Sequence, residues 1–306
     1  MIIYLASFSA QEKNYGGADK QEIKYISLGL NNRLFSNYHL GTMKDNEASF
    51  TYLTGEKMNN DSLSLFLDSG AFSAWRKGIE INIDEYIEFI KLYESNLEVY
   101  AVLDDILDPV KTWKNQAYME SKGLKPLPVF HFGEPADPWL NKCKEYDYFA
   151  IGGMVPISNR DLKPWLDKIW TELVDSDGYA KHKVHGFGLT SVEMIKRYPW
   201  HSVDSTSWVM TGRFGSVFVP VGTFNKITIS DKADMSKNDH FQNLPNHDKE
   251  NIIKYFENLG EGYTIQELME DYKKRDEVNI LYFINLEKEI SSKPPRFLSH
   301  KQGSLF

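Results

Sequence analysis

The sequence predicts an α/β fold of the (β/α)8 barrel type. From about residue 60 to residue 210, short apolar runs alternate with stretches whose apolar residues recur at helical spacing. Strands separated by single helices pair in parallel through right-handed crossovers, and about eight such strands close a barrel. An open doubly wound sheet is the alternative, but it usually carries a glycine-rich phosphate-binding turn after its first strand, and this chain has no such turn.

Eight segments have the apolar character and the length of strands. In chain order they are IIYLASF, KYISLG, LSLFLDSG, EVYAVLDDI, PLPVFHFGE, YFAIGGM, KVHGFGLT and HSVDSTSW. Helical patterns separate the later segments. One of them, DPVKTWKNQAYMESKG, is opened by Asp-Pro and closed by Gly123, as expected of a helix with defined ends.

The pattern changes after residue 210. The stretch RFGSVFVPVGTFNKITIS has the alternation of a β-hairpin, and three helical stretches follow between about residues 246 and 291. We therefore predict a barrel catalytic domain over residues 1–215. Residues 216–306 are predicted to form a hairpin and a helical appendage packed on the barrel.

Composition and charge exclude several classes of protein. The single cysteine, Cys143, excludes an intrachain disulfide and a cysteine-rich zinc cluster, and it fits a reducing cytosol. No segment has the features of a membrane span or a signal peptide. The net charge of −8 argues against a generic nucleic-acid coat, although residues 181–201 and 293–301 offer local basic faces.

Acids, histidines and glycines recur where the predicted strands end. In a parallel barrel these carboxyl ends meet at one rim, which is where the chemistry is located. The rim therefore carries at least two carboxylates between glycine walls, and such walls suit a flat ligand lying close to the backbone. The residues concerned are Asp68, Asp104, Asp105, His131, Gly152, Gly153, His185, Gly186 and Asp204.

Each of these residues also has a purely structural interpretation. Asp68 is placed to cap the following helix, and the glycine pair of IGGM to permit a tight turn. Asp104 and Asp105 are adjacent, so in a continuing strand one faces the barrel mouth while the other faces the next helix. Histidines more often have structural roles than catalytic ones, and no ligand spacing marks a metal site.

The ordered set DSGAF, VLDD, AIGGM, VHGFG and VDSTSW resembles the tRNA-guanine transglycosylase superfamily over roughly residues 63–213. In that superfamily an apolar strand ends in a DSGG-type motif, and an acid, a glycine pair and an aspartate nucleophile follow on later strands. The chain looks most like the short phage members, the DpdA-type enzymes that insert 7-deazaguanine bases into DNA. That resemblance implies a phage-encoded protein acting in the host cytoplasm.

The resemblance implies a role for each position. Asp204 is the nucleophile that attacks the sugar C1′, and Asp68 exchanges the proton with the leaving and incoming bases. Asp104 accepts hydrogen bonds from the guanine N1–H and 2-amino group. The residues expected around the base are Gly152, Gly153, His131, Phe72, Phe187, His185 and Gly186. No cofactor and no metal are required.

The target nucleotide has to leave the duplex, because C1′ cannot be attacked inside a base stack. Basic side chains are then expected on the flanking phosphates, and Lys196, Arg197 and Arg213 are the candidates. The partners implied are DNA and a free 7-deazaguanine base, whose exact derivative the sequence leaves open. It also leaves open the oligomeric state.

Two departures from the superfamily pattern favour DNA over tRNA. The tRNA enzymes carry a zinc ion held by three cysteines and a histidine, whereas this chain has one cysteine. The glutamine with which they read the base is replaced, with His131 as the candidate in PVFHFGEP. A zinc-free tRNA transglycosylase remains an alternative. So do a sugar-processing barrel glycosidase, for which Glu134 is the additional acid, and an inactive barrel that binds nucleic acid.

Overall fold

A computed structural model defines the fold over residues 1–6, 18–42, 44–57 and 61–298. In this part of the chain, eight parallel strands form one sheet. They are β1 (Ile2–Ala6), β2 (Asn32–Ser36), β3 (Ser64–Asp68), β4 (Val99–Tyr100), β5 (Val129–His131), β6 (Tyr148–Gly152), β7 (Lys183–Gly186) and β8 (Ser202–Ser205). Their order across the sheet is β4-β3-β2-β1-β8-β7-β6-β5.

The two edges of this sheet meet just beyond β4 and just before β5. Ala101 and Leu127 form a parallel bridge. The N–H of Leu127 donates to the Tyr100 carbonyl at 2.8 Å, and the N–H of Val102 donates to the Leu127 carbonyl at 3.0 Å. The sheet therefore curls round on itself, and the predicted (β/α)8 barrel type is confirmed.

Thirteen α-helices are found within the described ranges, and those of the barrel alternate with its strands. They are α1 (Ala18–Ser27), α2 (Asn37–Leu40), α3 (Lys44–Lys57), α4 (Ala71–Arg76), α5 (Ile83–Tyr93), α6 (Pro109–Ser121), α7 (Asn141–Cys143), α8 (Asn159–Leu173), α9 (Val192–Arg197), α10 (Ser207–Arg213), α11 (Asn246–Glu257), α12 (Ile265–Glu270) and α13 (Tyr272–Ser292). None of them is both long enough and apolar enough to cross a membrane.

Local sequence explains where α6 begins. The side chain of Asp108 accepts hydrogen bonds from the N–H groups of Val110 and Lys111, so it caps this helix, whose first residue is Pro109. The predicted hairpin is also present, as β9 (Ser216–Val221) paired with β10 (Phe224–Thr228). The three predicted C-terminal helices correspond to α11, α12 and α13.

The second predicted strand, KYISLG, is wrong. Its first four residues belong to α1, where Gln21, Glu22 and Tyr25 are buried at the spacing of one helical face. Gly29 ends this helix with φ +95°, a backbone conformation that glycine adopts without strain.

The true second strand is β2, within NNRLFS. Its apolar pattern is interrupted by Arg33, which is only 1% exposed and donates from Nη1 to the Leu5 carbonyl at 2.9 Å. Of the first predicted strand, IIYLASF, residues Ser7 and Phe8 lie outside the described residues.

The chain divides into two compact units. The first contains Met1–Ala6, the described residues of Asn32–Ser205, and residues 290–298, and it holds the barrel. The buried core of this unit includes apolar residues of the strands and of the segment after β4 that have no exposed surface. They are Leu65, Phe66, Leu67, Val102, Phe130, Ala150, Ile151, Val184 and Val203.

The second unit contains residues 18–31 and 206–289. Its core joins the hairpin to the C-terminal helices. It includes Val217, Val219, Ile227, Ile229, Ile252, Phe256, Leu268 and Val278. The predicted domain boundary at residue 215 stays a prediction.

Candidate active site

Asp68 is the last residue of β3 and is partly buried at the carboxyl end of the barrel. Its Oδ2 accepts a hydrogen bond from the N–H of Gly70 at 3.1 Å. Gly70 itself has φ +81°, and a Cβ on it would come within 2.6 Å of both Tyr38 Cβ and Ser36 Oγ. Glycine at position 70, two residues after Asp68, is therefore required by close packing against the end of β2. Asp68 holds this turn but does not cap α4, whose N-cap residue is Gly70.

Asp104 follows β4 and is held by two side-chain donors. Ser69 Oγ donates to Oδ1 at 2.9 Å, and His131 Nε2 lies 2.9 Å from Oδ2. Each carboxylate oxygen keeps one further lone pair, because an ionised carboxylate has about four acceptor sites. Asp104 is thus fixed in position and can still accept hydrogen bonds from a ligand.

His131, at the end of β5, lies between two carboxylates. Its Nε2 faces Asp104, and its Nδ1 lies 3.1 Å from Oε1 of Glu134. Burial alone would lower the pKa of His131, but the bonds to Asp104 and Glu134 raise it to about 10. The ring is therefore an imidazolium that donates both N–H groups to carboxylates. The sequence-based placement of His131 beside the base stays a prediction, and in the structure the ring holds Asp104 in position.

The neighbouring Asp105 has a different task. Its Oδ1 accepts from the N–H groups of Leu107 and Asp108, both at 3.0 Å, and its Oδ2 lies 3.2 Å from Lys111 Nζ. Burial opposes ionisation of Asp105, but these donors outweigh it and lower the pKa. Of the two adjacent acids, Asp104 faces the barrel mouth and Asp105 secures the loop that leads into α6.

Asp204, in β8, is anchored through one carboxylate oxygen. The N–H of Gly188 donates to Oδ1 at 2.7 Å, and Nε2 of His185 lies 3.3 Å from the same atom. The residue is 6% exposed. Within the described ranges no hydrogen bond is made to Oδ2. One oxygen is fixed by N–H donors, and the other keeps its lone pairs for a reacting atom.

The negative charges of Asp104 and Asp204 act on the carboxyl group of Asp68. Its pKa is raised to about 8 by removal from water, then by the negative charges of Asp104 and Asp204. At neutral pH Asp68 is therefore mostly protonated. An acid that holds a proton beside an anchored carboxylate is the arrangement that separates general acid from nucleophile.

The glycines of the rim are explained by close backbone packing. A Cβ on Gly152 would lie 3.1 Å from both the His131 ring and a methyl group of Val129. Gly153 has φ +69°, and a Cβ on it would lie 3.1 Å from the Phe132 nitrogen. A Cβ on Gly186 would lie 3.2 Å from the Trp200 ring. These contacts account for the glycines without a ligand.

Two aromatic rings predicted near the base occupy different surroundings. Phe187 is partly buried, with its ring centroid 4.5 Å from that of His185 and 5.7 Å from that of Phe66. Phe72 is also partly buried, and its ring lies 6.1 Å from that of Trp75. Phe187 therefore packs against His185, which contacts Asp204, whereas Phe72 lies on α4.

A cleft of about 370 Å³ opens beside Asp104, in the size range of small-molecule sites. Asp105, Lys111 and Asn115 supply polar groups to its wall. Its apolar lining includes Trp75, Ile79, Ile81, Ile83 and Leu103. The cleft has enough room for a planar bicyclic base.

The structure does not bring Arg197 or Lys196, two of the predicted phosphate-binding residues, to this rim. Arg197 donates from Nε and Nη2 to both carboxylate oxygens of Asp167, at 2.8 and 2.9 Å. It ends α9, the helix that returns from β7 to the start of β8, so Arg197 and Lys196 belong to the opposite end of the barrel. Arg213 is exposed at the end of α10, in the second unit. Of the basic segment 293–301, residues 299–301 lie outside the described residues.

Several supporting residues of the network were not predicted in these roles from the sequence. Ser69 holds Asp104, Gly188 anchors Asp204, and Ser202 contacts His185 at 2.7 Å. Glu134, which the sequence offered only as a glycosidase acid, holds His131. Only the pair His131 and Glu134 had a local signal, because three residues separate them in HFGE. The other contacts join different strands, and sequence spacing does not reveal them.

No family model matches this chain, and no curated protein matches it. Within the described ranges, no group of three or more His, Cys, Asp or Glu residues is arranged to hold a metal ion.

Proposed function

We propose that the protein is a base-exchange glycosyltransferase that replaces guanine in DNA by a 7-deazaguanine derivative. The observation that carries the proposal is the convergence of Asp68, Asp104 and Asp204 on the carboxyl ends of the barrel strands. Asp204 is anchored through one carboxylate oxygen, and the pKa of Asp68 is raised. Base exchange needs these three functions: a nucleophile, a proton donor and a group that reads the base. The resemblance in motif order to the guanine transglycosylases supports the same assignment.

In the first half-reaction, Oδ2 of Asp204 attacks C1′ of the target nucleotide. The bond between C1′ and guanine N9 breaks, and its electron pair stays with the base. Asp68 gives its proton to the departing guanine. The sugar is then held by an ester bond to Asp204, as in retaining glycosidases.

In the second half-reaction, the incoming base takes the place of guanine. The Asp68 carboxylate removes the N9 proton, and N9 attacks C1′. The ester bond to Oδ2 breaks and returns Asp204 as a carboxylate. Protons and electrons balance over the cycle, and neither water nor a redox partner is consumed.

Asp104 is the group that selects the base in this proposal. Guanine and 7-deazaguanine share an N1–H and a 2-amino group, which a carboxylate accepts side by side. The bonds from Ser69 and His131 fix the carboxylate before the base arrives. Pre-organised acceptors lose little entropy on binding, so this support favours affinity for the correct base.

The preference for DNA rests on the resemblance and on composition. With one cysteine in 306 residues, the chain cannot build the Cys₃His zinc site of the tRNA enzymes. The proposed substrate is a nucleotide flipped out of a duplex, since C1′ inside the stack is inaccessible.

The test is isotope-labelled guanine exchange. The protein is incubated with labelled guanine and either duplex DNA or tRNA, and nucleosides are then analysed by mass spectrometry. We expect label in deoxyguanosine of DNA. A parallel incubation with 7-deazaguanine bases identifies the derivative accepted.

Asp204→Asn is the matched inactive control, and Glu145→Gln, at an exposed carboxylate just before β6, is the carboxylate control outside the proposed chemistry. Label in tRNA alone would replace DNA by tRNA as the substrate and leave the chemistry standing. Absence of label from both nucleic acids would refute the proposal.

A further inference from the structure

Behind Asp204, a row of polar side chains runs into the apolar barrel interior. His185 Nδ1 lies 2.7 Å from Ser202 Oγ, and Ser202 Oγ lies 2.7 Å from the Tyr148 hydroxyl. His185 and Ser202 are register partners on β7 and β8. Asp204 follows Ser202 by two residues, so both side chains point to the same face of β8.

The Asp204 carboxylate at the end of this row determines which atom donates in each of its hydrogen bonds. The Asp204 carboxylate accepts only, so His185 must carry its proton on Nε2. Its Nδ1 is then an acceptor, and Ser202 must donate to it. Ser202 in turn accepts from Tyr148. The row is therefore directed from Tyr148 through Ser202 and His185 to Asp204.

The imidazole is held in place by rings as well as by hydrogen bonds. His185 has no exposed surface, and the rings of Phe66 and Phe187 lie 4.7 and 4.5 Å from it, centroid to centroid. Burial lowers the pKa of His185, and Asp204 offsets this only in part. The ring is thus neutral, and it cannot take a proton without losing the bond from Ser202.

We infer that His185 is a positioning residue that turns Asp204 so that Oδ2, and not Oδ1, is the attacking oxygen. His185 and Gly188 both donate to Oδ1, so the carboxylate cannot rotate without breaking two hydrogen bonds. Oδ2 is left with its lone pairs at the barrel mouth. This inference rests on the proposed function, since it concerns the nucleophile of that reaction.

The role has a defined kinetic consequence. A carboxylate that rotates freely spends less time in the orientation for attack, so the chemical step slows while base binding at Asp104 is unaffected. His185→Phe keeps an aromatic ring between Phe66 and Phe187 but removes both nitrogens. We expect kcat to fall by about 10²-fold, the usual loss for one oriented donor, and KM to change less than about threefold.

Two further variants separate positioning from packing. His185→Gln retains an amide N–H that can reach Asp204 and is expected to recover part of the lost kcat. Ser202→Ala leaves the imidazole in place but removes the group that sets its tautomer, and we expect a loss of about 10-fold. His182→Gln is the matched control: this histidine, three residues upstream, contacts the Tyr146 carbonyl at 3.2 Å and should leave kcat unchanged.

A readout without catalysis tests the same inference. In protein labelled with ¹⁵N on histidine, the imidazole signals of His185 should show the neutral Nε2–H tautomer, unchanged between about pH 6 and 8. An Nδ1–H tautomer, or a signal that titrates in this range, would overturn the inference. So would a folded His185→Phe variant that keeps more than about a third of the wild-type kcat.

The two proposals fail in different ways. If wild-type protein exchanges no base, the proposed function falls, and the tautomer of His185 still decides whether the directed row exists. If wild-type protein exchanges base and His185→Phe does so equally well, only the positioning role falls.

Discussion

His131 Nε2 lies 2.9 Å from Oδ2 of Asp104, and the other ring nitrogen of His131 lies 3.1 Å from Glu134. A cation between two anions is therefore built into the wall of the candidate site. Because this charged donor fixes the Asp104 carboxylate, the group that we propose to read the base is oriented before any ligand binds.

This arrangement predicts a pH-dependent contribution to stability. The pKa of His131 is raised from 6.5 to about 10 on folding. The folded state thus holds the proton more tightly, and the stabilisation is complete below pH 6.5 and is lost as pH rises toward about 10. We expect the wild type to lose thermal stability over this window relative to His131→Gln. Melting curves from pH 6 to about 10 measure it, with His182→Gln as the control. A constant difference between wild type and His131→Gln would contradict the charged state.

The opposite pKa shifts of Asp68 and Asp105 predict that their Asn variants change the stability of the fold in opposite directions. The pKa of Asp68 is raised from 3.8 to about 8, so wild-type protein loses stability as pH rises between these values. Asp68→Asn cannot ionise and should become progressively more stable than wild type over this window. The pKa of Asp105 is lowered, so its ionised form stabilises the fold above pH 3.8 and Asp105→Asn should be destabilised at neutral pH. Urea unfolding at pH 5 and pH 8 measures the stability of both variants relative to wild type. Equal stability changes in the two variants would contradict the opposite pKa shifts of Asp68 and Asp105.

The acidity of Asp68 also predicts the pH dependence of the first half-reaction. In the proposed reaction guanine departs only when Asp68 carries a proton, so the rate of covalent intermediate formation should decline above about pH 8. Single-turnover reactions without an incoming base isolate this step. A rate that stays level up to about pH 9.5 would exclude Asp68 as the proton donor.

Asp104→Asn is expected to weaken base binding more than folding. The amide has one acceptor oxygen where the carboxylate has two, so one base N–H is left unpaired at a cost of about 1–3 kcal/mol. Equilibrium binding of guanine and 7-deazaguanine measures this loss. Glu145→Gln, which changes an exposed carboxylate away from the cleft, is the control. Unchanged affinity in Asp104→Asn would show that another group reads the base.

Arg197 and Arg213 should differ in DNA binding. Arg197 is committed to Asp167, so Arg197→Ala should cost about 0.5–1 kcal/mol of stability and leave the salt dependence of DNA binding unchanged. Arg213→Ala is expected to reduce the slope of log K against log salt by about one unit. Titrations of duplex DNA at several salt concentrations compare them. A reduced slope in Arg197→Ala would show that Arg197 does contact a phosphate.

The fold was largely predictable because a parallel barrel repeats a simple pattern of apolar run and amphipathic helix. The failure at KYISLG has a physical cause: Tyr25 and its neighbours are buried on a helical face that an apolar count does not distinguish from a strand. The strand β2 was missed because it contains Arg33, whose charge suggests an exposed position. In the structure Arg33 is buried and donates a hydrogen bond to a backbone carbonyl.

The rim acids were predictable from strand ends, but their different states were not. Asp68, Asp104 and Asp204 look alike in the sequence. Their roles separate only when tertiary contacts are known, since Ser69 and His131 hold one while Gly188 and His185 anchor another. These partners come from different strands, and a single sequence does not reveal such contacts.

Trapping the covalent intermediate tests the central claim most directly. Protein is incubated with guanine-containing DNA in the absence of an incoming base, denatured and digested, and the peptides are analysed by mass spectrometry. The account predicts a nucleotide adduct on the side chain of Asp204, discharged by added guanine and missing in Asp204→Asn. An adduct on another residue such as Glu134, or base exchange by Asp204→Asn at the wild-type rate, would contradict it.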